Sequence, residues 1–140
     1  MIRAFAVIAA LYLGPCLGLS AGAAQAGEFR IGFDWSGLKL CTSGRPNTVA
    51  NPVFTVKDLP AGTKFIQFRL VDLDVPGYNH GGGVVAISKD GKIPRGAFKY
   101  QSPCPPNGAH TYEWTATAKT KKGFGGQKLG VAKARRKYPQ

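Results

Sequence analysis

Apolar residues recur at every second position in three separate stretches of this chain, and that period commits it to strands. Phe29, Ile31, Phe33 and Trp35 alternate with Arg30, Gly32 and Asp34. Ile66, Phe68 and Leu70 alternate with Gln67 and Arg69, and Tyr112, Trp114, Ala116 and Ala118 alternate with Thr111, Glu113, Thr115 and Thr117. Successive side chains of a strand point to opposite faces, so each stretch predicts a strand half buried against a core. Val84 to Ile87 is a continuous apolar run, which predicts a short strand covered on both faces. Turn-forming residues fill the gaps at Asp58-Leu59-Pro60-Ala61-Gly62, at Lys89-Asp90-Gly91-Lys92 and at Pro103 to Gly108. The expected fold is mainly β, an antiparallel sandwich with few short helices. A length of 140 residues leaves room for one such domain.

The ends of the chain read differently from its middle. After Met1-Ile2-Arg3 the run Ala4 to Leu19 is uncharged, and Ala24-Gln25-Ala26 has the small-x-small form of a processing site. Residues 1–26 are therefore expected to be a secretory signal peptide, and the protein to be periplasmic or secreted. Pro15 before Cys16 argues against lipoprotein cleavage, which wants a small residue there. Two cysteines remain, Cys41 and Cys104, and an oxidising compartment favours a disulfide between them; two free buried thiols are the alternative. The β domain is expected to span residues 27–118. Beyond it, residues 119–140 hold eight basic residues and no acidic one, out of a net charge of +12, and they are rich in glycine. This predicts a mobile basic tail, either simply solubilising or attracted to anionic surfaces. Nucleic acid is not an expected partner, because no aromatic-basic stacking motif lies in the tail.

Parity then picks out polar groups. If the strand Phe65 to Val71 continues, Asp72 and Asp74 fall on the face of Ile66, Phe68 and Leu70, while His110 shares a face with Tyr112 and Trp114. A carboxylate or imidazole emerging from the covered side lines a cavity or needs a partner. The plainer alternative is that Asp72 caps the following turn and His110 bonds a nearby carbonyl.

The loops carry more information. Asp72-Leu73-Asp74-Val75-Pro76 resembles the Asp-Pro-Asp-x-Pro signature of the phosphatidylethanolamine-binding protein (PEBP) family, whose bacterial branch is called Raf-kinase-inhibitor-like. Gly108-Ala109-His110-Thr111-Tyr112 is similar to the second signature of that family, Gly-x-His-x-Tyr, and Pro103-Cys104-Pro105-Pro106 to the proline-rich loop before it. Asn51-Pro52-Val53-Phe54 and Leu59 to Lys64 resemble its approach to the first signature, so the resemblance runs from Asn51 to Ala118. Leu73 stands where the family has proline, and Tyr78-Asn79-His80 where it has a Trp-His pair; the basic tail replaces most of the C-terminal region of the family.

The resemblance implies a PEBP-like sandwich with a small cavity for phosphate or a phospholipid headgroup. Its ligand-binding residues would be Asp72, Asp74, Pro76, His80, His110 and Tyr112. His80 and His110 would donate N–H groups to the anion and Tyr112 a hydroxyl, while Asp72 would orient a histidine or accept an ammonium. No Gly-x-Ser-x-Gly elbow or similar nucleophile is present, so no enzymatic activity and no catalytic residue are expected. His80, His110 and Asp72 have metal-ligand side chains but no close-spaced pair, and neither a metal nor a cofactor is expected. The competing function is a secreted inhibitor or protein-interaction module acting on another exported protein, through the pocket-rim loop His80-Gly81-Gly82-Gly83 or the basic tail.

Overall fold

A computed structural model describes residues 27–140; the expected signal segment lies outside the described residues. Nine strands follow in order: β1 (Arg30–Gly32), β2 (Thr48–Ala50), β3 (Phe54–Lys57), β4 (Phe65–Asp72), β5 (Gly82–Ala86), β6 (Gly91–Ile93), β7 (Lys99–Gln101), β8 (His110–Lys119) and β9 (Lys128–Tyr138). All pair antiparallel, in a four-stranded sheet β5-β4-β8-β9, a three-stranded sheet β1-β3-β6 and the ribbon β2-β7. No helix occurs among the described residues.

Each alternating stretch buries the face that its period predicts. Phe29, Ile31, Phe33 and Trp35 are buried although only the middle of that stretch is paired. In β4 and β8 the core positions are Ile66, Phe68, Leu70, Tyr112, Trp114, Ala116 and Ala118. Aromatic rings join the sheets: Phe54 of β3 stacks on Phe68 of β4 at 4.4 Å between centroids and meets Trp114 of β8 edge-on at 5.2 Å. Such pairs add about 1 kcal/mol each beyond the area they bury. Asn51, fully buried between the layers, donates to the Pro52 and Pro94 carbonyls and accepts from the Phe98 amide, so none of its polar atoms is stranded.

Two expectations are corrected. β5 is not covered on both faces; it is an edge strand of intermediate burial, because an antiparallel sheet can leave an edge half wet. The region after residue 118 is not a mobile tail. β8 runs through Lys119, a turn follows, and β9 pairs with β8 from Lys128 to Tyr138. Basic side chains hide its period. Ala132, Ala134 and Tyr138 turn toward the core, while Lys133, Arg135 and Lys137 fill the solvent face, where Lys133 and Arg135 bracket the buried Glu113 at 3.0 and 2.6 Å.

The ends of β8 and β9 fix the next layer. Trp35 Nε1 donates to the Lys137 carbonyl at 2.9 Å, and the Tyr138 hydroxyl accepts from the Cys41 amide at 2.7 Å and donates to the Lys39 carbonyl at 3.1 Å. The segment from Trp35 to Cys41 is thereby laid across β9. Cys41 reaches Cys104, and the two form the expected disulfide.

Candidate functional site

β4 and β8 are neighbours, paired with Asp72 opposite Tyr112, so the loop after β4 and the start of β8 meet at one end of the sheet. Two backbone and side-chain links hold them together: the Leu73 amide donates to the Thr111 carbonyl at 2.8 Å, and the Thr111 amide donates to Asp74 Oδ2 at 2.7 Å. The Asp72 carboxylate is the hub. Its Oδ1 accepts from the amides of Asp74 at 2.9 Å and Val75 at 3.2 Å, and its Oδ2 accepts from His110 Nδ1 at 2.7 Å.

The turn-capping role and the pairing with a histidine, alternatives at the level of sequence, are both filled by this one side chain. Its burial penalises the charge, but the hydrogen bonds from His110, the Asp74 amide and the Tyr112 hydroxyl outweigh that cost and hold the carboxyl below its ordinary range. Asp72 is therefore ionised, and it is the imidazole that carries the proton on Nδ1.

A cavity of about 160 Å³ opens beside this pair. Asp72, His80, His110 and Tyr112 line it together with Val75 and Tyr78, and Gly44, Pro46 and Cys104 to Pro106 form the opposite wall. The Cys41–Cys104 disulfide and the bond from the Gly44 amide to the Cys104 carbonyl, at 3.0 Å, hold that wall in place. Four of the six residues singled out by motif thus converge on one cavity. Asp74 and Pro76 do not line it: Asp74 clips the loop to β8, and Pro76 is exposed.

His80 occupies the back of the cavity, 2% exposed, with its ring edge-on to Tyr112 at 5.5 Å and to Tyr78 at 4.6 Å. Its Nδ1 lies 2.9 Å from the Gln101 carbonyl, which can only accept, so Nδ1 carries the hydrogen. Burial pushes its pKa down, more than the Gln101 carbonyl and the Asp72 charge push it up. A neutral His80 consequently presents Nε2 as an acceptor, not as the donor expected from the sequence. Tyr112 also differs from expectation. Its buried hydroxyl faces Asp72, and burial together with that carboxylate raises its pKa well above the ordinary tyrosine range. The hydroxyl supports Asp72 from within the protein.

Asp72, Asp74 and His110 offer potential metal-ligand atoms within 4.8 Å of one another, a grouping that includes Asp74 in place of His80. The carboxylate oxygens nearest the pair are taken up by the Asp74, Val75 and Thr111 amides and by His110 itself.

Sequence reasoning missed Gly44 and Pro46, which reach the cavity only through the long connection closed by the disulfide. It also missed Tyr138, which holds Cys41 and lies behind Tyr112 at 6.4 Å.

No protein-family model and no curated protein matches the chain. Among solved structures, it is similar to a putative phosphatidylethanolamine-binding protein homolog from Chlamydia trachomatis, with 14% sequence identity and a TM-score of 0.46, over 81% of this chain and 98% of that one.

Proposed function

We propose that the protein is an exported binding protein whose cavity takes a small anion, phosphate or a phosphorylated headgroup, at His110. The observation that carries this reading is the Asp72–His110 pair at the cavity wall. Asp72 fixes Nδ1 and leaves Nε2 for the cavity, and an imidazolium in that position offers the anion a charge-assisted donor while its own charge is balanced from behind. The carboxylates do not repel the ligand as bare charges would, since backbone amides and His110 donate hydrogen bonds to them.

Catalysis is not part of the proposal. The sulfur on the cavity wall is locked in a disulfide, and no serine or threonine hydroxyl lines the cavity to serve as nucleophile. Isothermal titration with inorganic phosphate and with phosphoethanolamine tests the reading, with weak saturable binding expected in wild type and none in His110→Ala.

One observation favours a second reading. Leu73, Val75 and Tyr78 are all exposed on the single loop at the cavity mouth, 39%, 48% and 42% respectively. An exported protein partner could cover that rim, as an inhibitor target or docking surface would. Leu73→Ser, on the same exposed rim but outside the cavity lining, separates the two: loss of partner capture with unchanged phosphate binding supports the interaction module.

A further inference from the structure

At the other end of β8 the chain builds a convex tip. Thr120 and Gln127 close its base, with the Thr120 amide donating to the Gln127 carbonyl at 3.1 Å and the Gln127 amide donating to Thr120 Oγ1 at 3.0 Å. Between them Gly123 and Gly125, with φ of 79° and 76°, flank Phe124 in a conformation that other residues rarely adopt, and they turn its ring outward. Phe124 is fully exposed, at 107% of its reference area, and is the most exposed large apolar residue among those described.

Cations flank it along the chain and at the hairpin base. Lys121, Lys122 and Lys128 are exposed, Lys119 donates from Nζ to the Gly123 carbonyl at 3.0 Å, and the Lys64 amide donates to the Lys119 carbonyl, which brings a further exposed lysine to the base. No acidic residue lies between Lys119 and the C-terminus.

We propose that this hairpin is a membrane anchor: Phe124 enters the interface of an anionic lipid bilayer while Lys121, Lys122 and Lys128 meet its headgroups. A bare phenyl ring at a tip exposes apolar surface to water for no internal gain, and the acyl boundary removes it from water. The ring of lysines supplies the attraction that one aromatic alone lacks. Charge would suit a nucleic acid as well, but single-strand binders track the backbone along a groove lined with several aromatic platforms. A convex tip with one ring offers neither.

The proposal does not depend on what the cavity binds, and it orients the cavity. His110 begins β8 and Lys119 ends it, and ten residues at about 3.3 Å each separate the cavity from the anchored tip by about 30 Å. The cavity then lies at the end of β8 remote from the anchored tip.

Co-sedimentation of the purified protein with vesicles tests this. The expected result is binding to vesicles of equal parts phosphatidylglycerol and phosphatidylcholine, and little binding to phosphatidylcholine alone. Phe124→Ser, at an exposed position that the fold does not use, should lower partitioning about tenfold, from the lost burial of one phenyl side chain. Lys121→Gln with Lys122→Gln should lower it about twenty-five-fold, about fivefold per charge. Far-UV circular dichroism confirms that both variants keep the strands. Failure of wild type to bind anionic vesicles overturns the anchor. So does a Phe124→Ser protein that partitions like wild type, even if the lysine variant is lost, because the attraction is then charge alone. Retention on a single-stranded oligonucleotide without vesicle binding also overturns it, in favour of a nucleic-acid partner.

Discussion

His110 Nδ1 lies 2.7 Å from Asp72 Oδ2, a contact between residues 38 positions apart that ties the start of β8 to the loop after β4. The same carboxylate caps that loop by accepting from the Asp74 and Val75 amides. One side chain therefore sets both the shape of the cavity rim and the tautomer of the histidine that faces it. Asp72→Asn keeps the size but donates where Nδ1–H donates, so it should lose phosphate affinity about as fully as His110→Ala while also destabilising the loop by about 1–3 kcal/mol. Chemical denaturation of the two variants separates these effects, since His110→Ala should retain more stability than Asp72→Asn.

Removal of β9 should unfold the domain. A chain ending at Lys122 loses Ala132 and Tyr138 from the core and the acceptor for the Cys41 amide, and it strands the buried Glu113 without Lys133 and Arg135. The expected thermal melt, followed by circular dichroism, has no cooperative transition. A transition within a few degrees of the full chain would show that β9 is dispensable.

Asn51 should be among the most sensitive polar positions away from the cavity. Asn51→Ala leaves the Pro94 carbonyl and the Phe98 amide without partners in a fully buried setting and should cost about 2–4 kcal/mol. Urea denaturation measures it, and a cost below about 0.5 kcal/mol would be inconsistent with three hydrogen bonds at this site.

Stability should fall in two acid windows. His80 has a folded pKa below the ordinary 6.5, so between those values the unfolded chain takes up a proton that the folded one refuses, and stability declines as pH drops below 6.5. Asp72 has a folded pKa below the ordinary 3.8, so its contribution is present above 3.8 and is lost as pH falls through the lower folded value. His80→Asn, whose amide can still donate to the Gln101 carbonyl, should abolish the first decline and keep the second. Melting temperatures from pH 7 to pH 3 would show the difference.

Much of the β architecture was legible because period two survives wherever the exposed face is polar and the buried face large, as at Phe29 to Trp35 and along β4 and β8. β9 escaped because its core face carries alanines and glycine, whose small side chains give little contrast against flanking lysines and arginines. Asp72, His110 and Tyr112 were legible from parity and from two loop motifs, whereas His80, which lines the same cavity, came only from the position of a Trp-His pair in the family the chain resembles. What parity could not supply was direction of donation. The tautomer of His80 is set by the Gln101 carbonyl, 21 residues away and across a chain crossing that no local pattern encodes. The opposite wall was equally hidden, since Gly44 and Pro46 reach the cavity through a disulfide closing a 63-residue separation.

The central claim is that His110 receives an anion in this cavity with Asp72 behind it. Two-dimensional NMR of the histidine rings during a titration with inorganic phosphate tests it most directly. The account predicts saturable shifts of the His110 ring and of Tyr112 at millimolar phosphate, and no response in His110→Ala. Ring signals of His110 that stay fixed up to millimolar phosphate while the protein remains folded would contradict it.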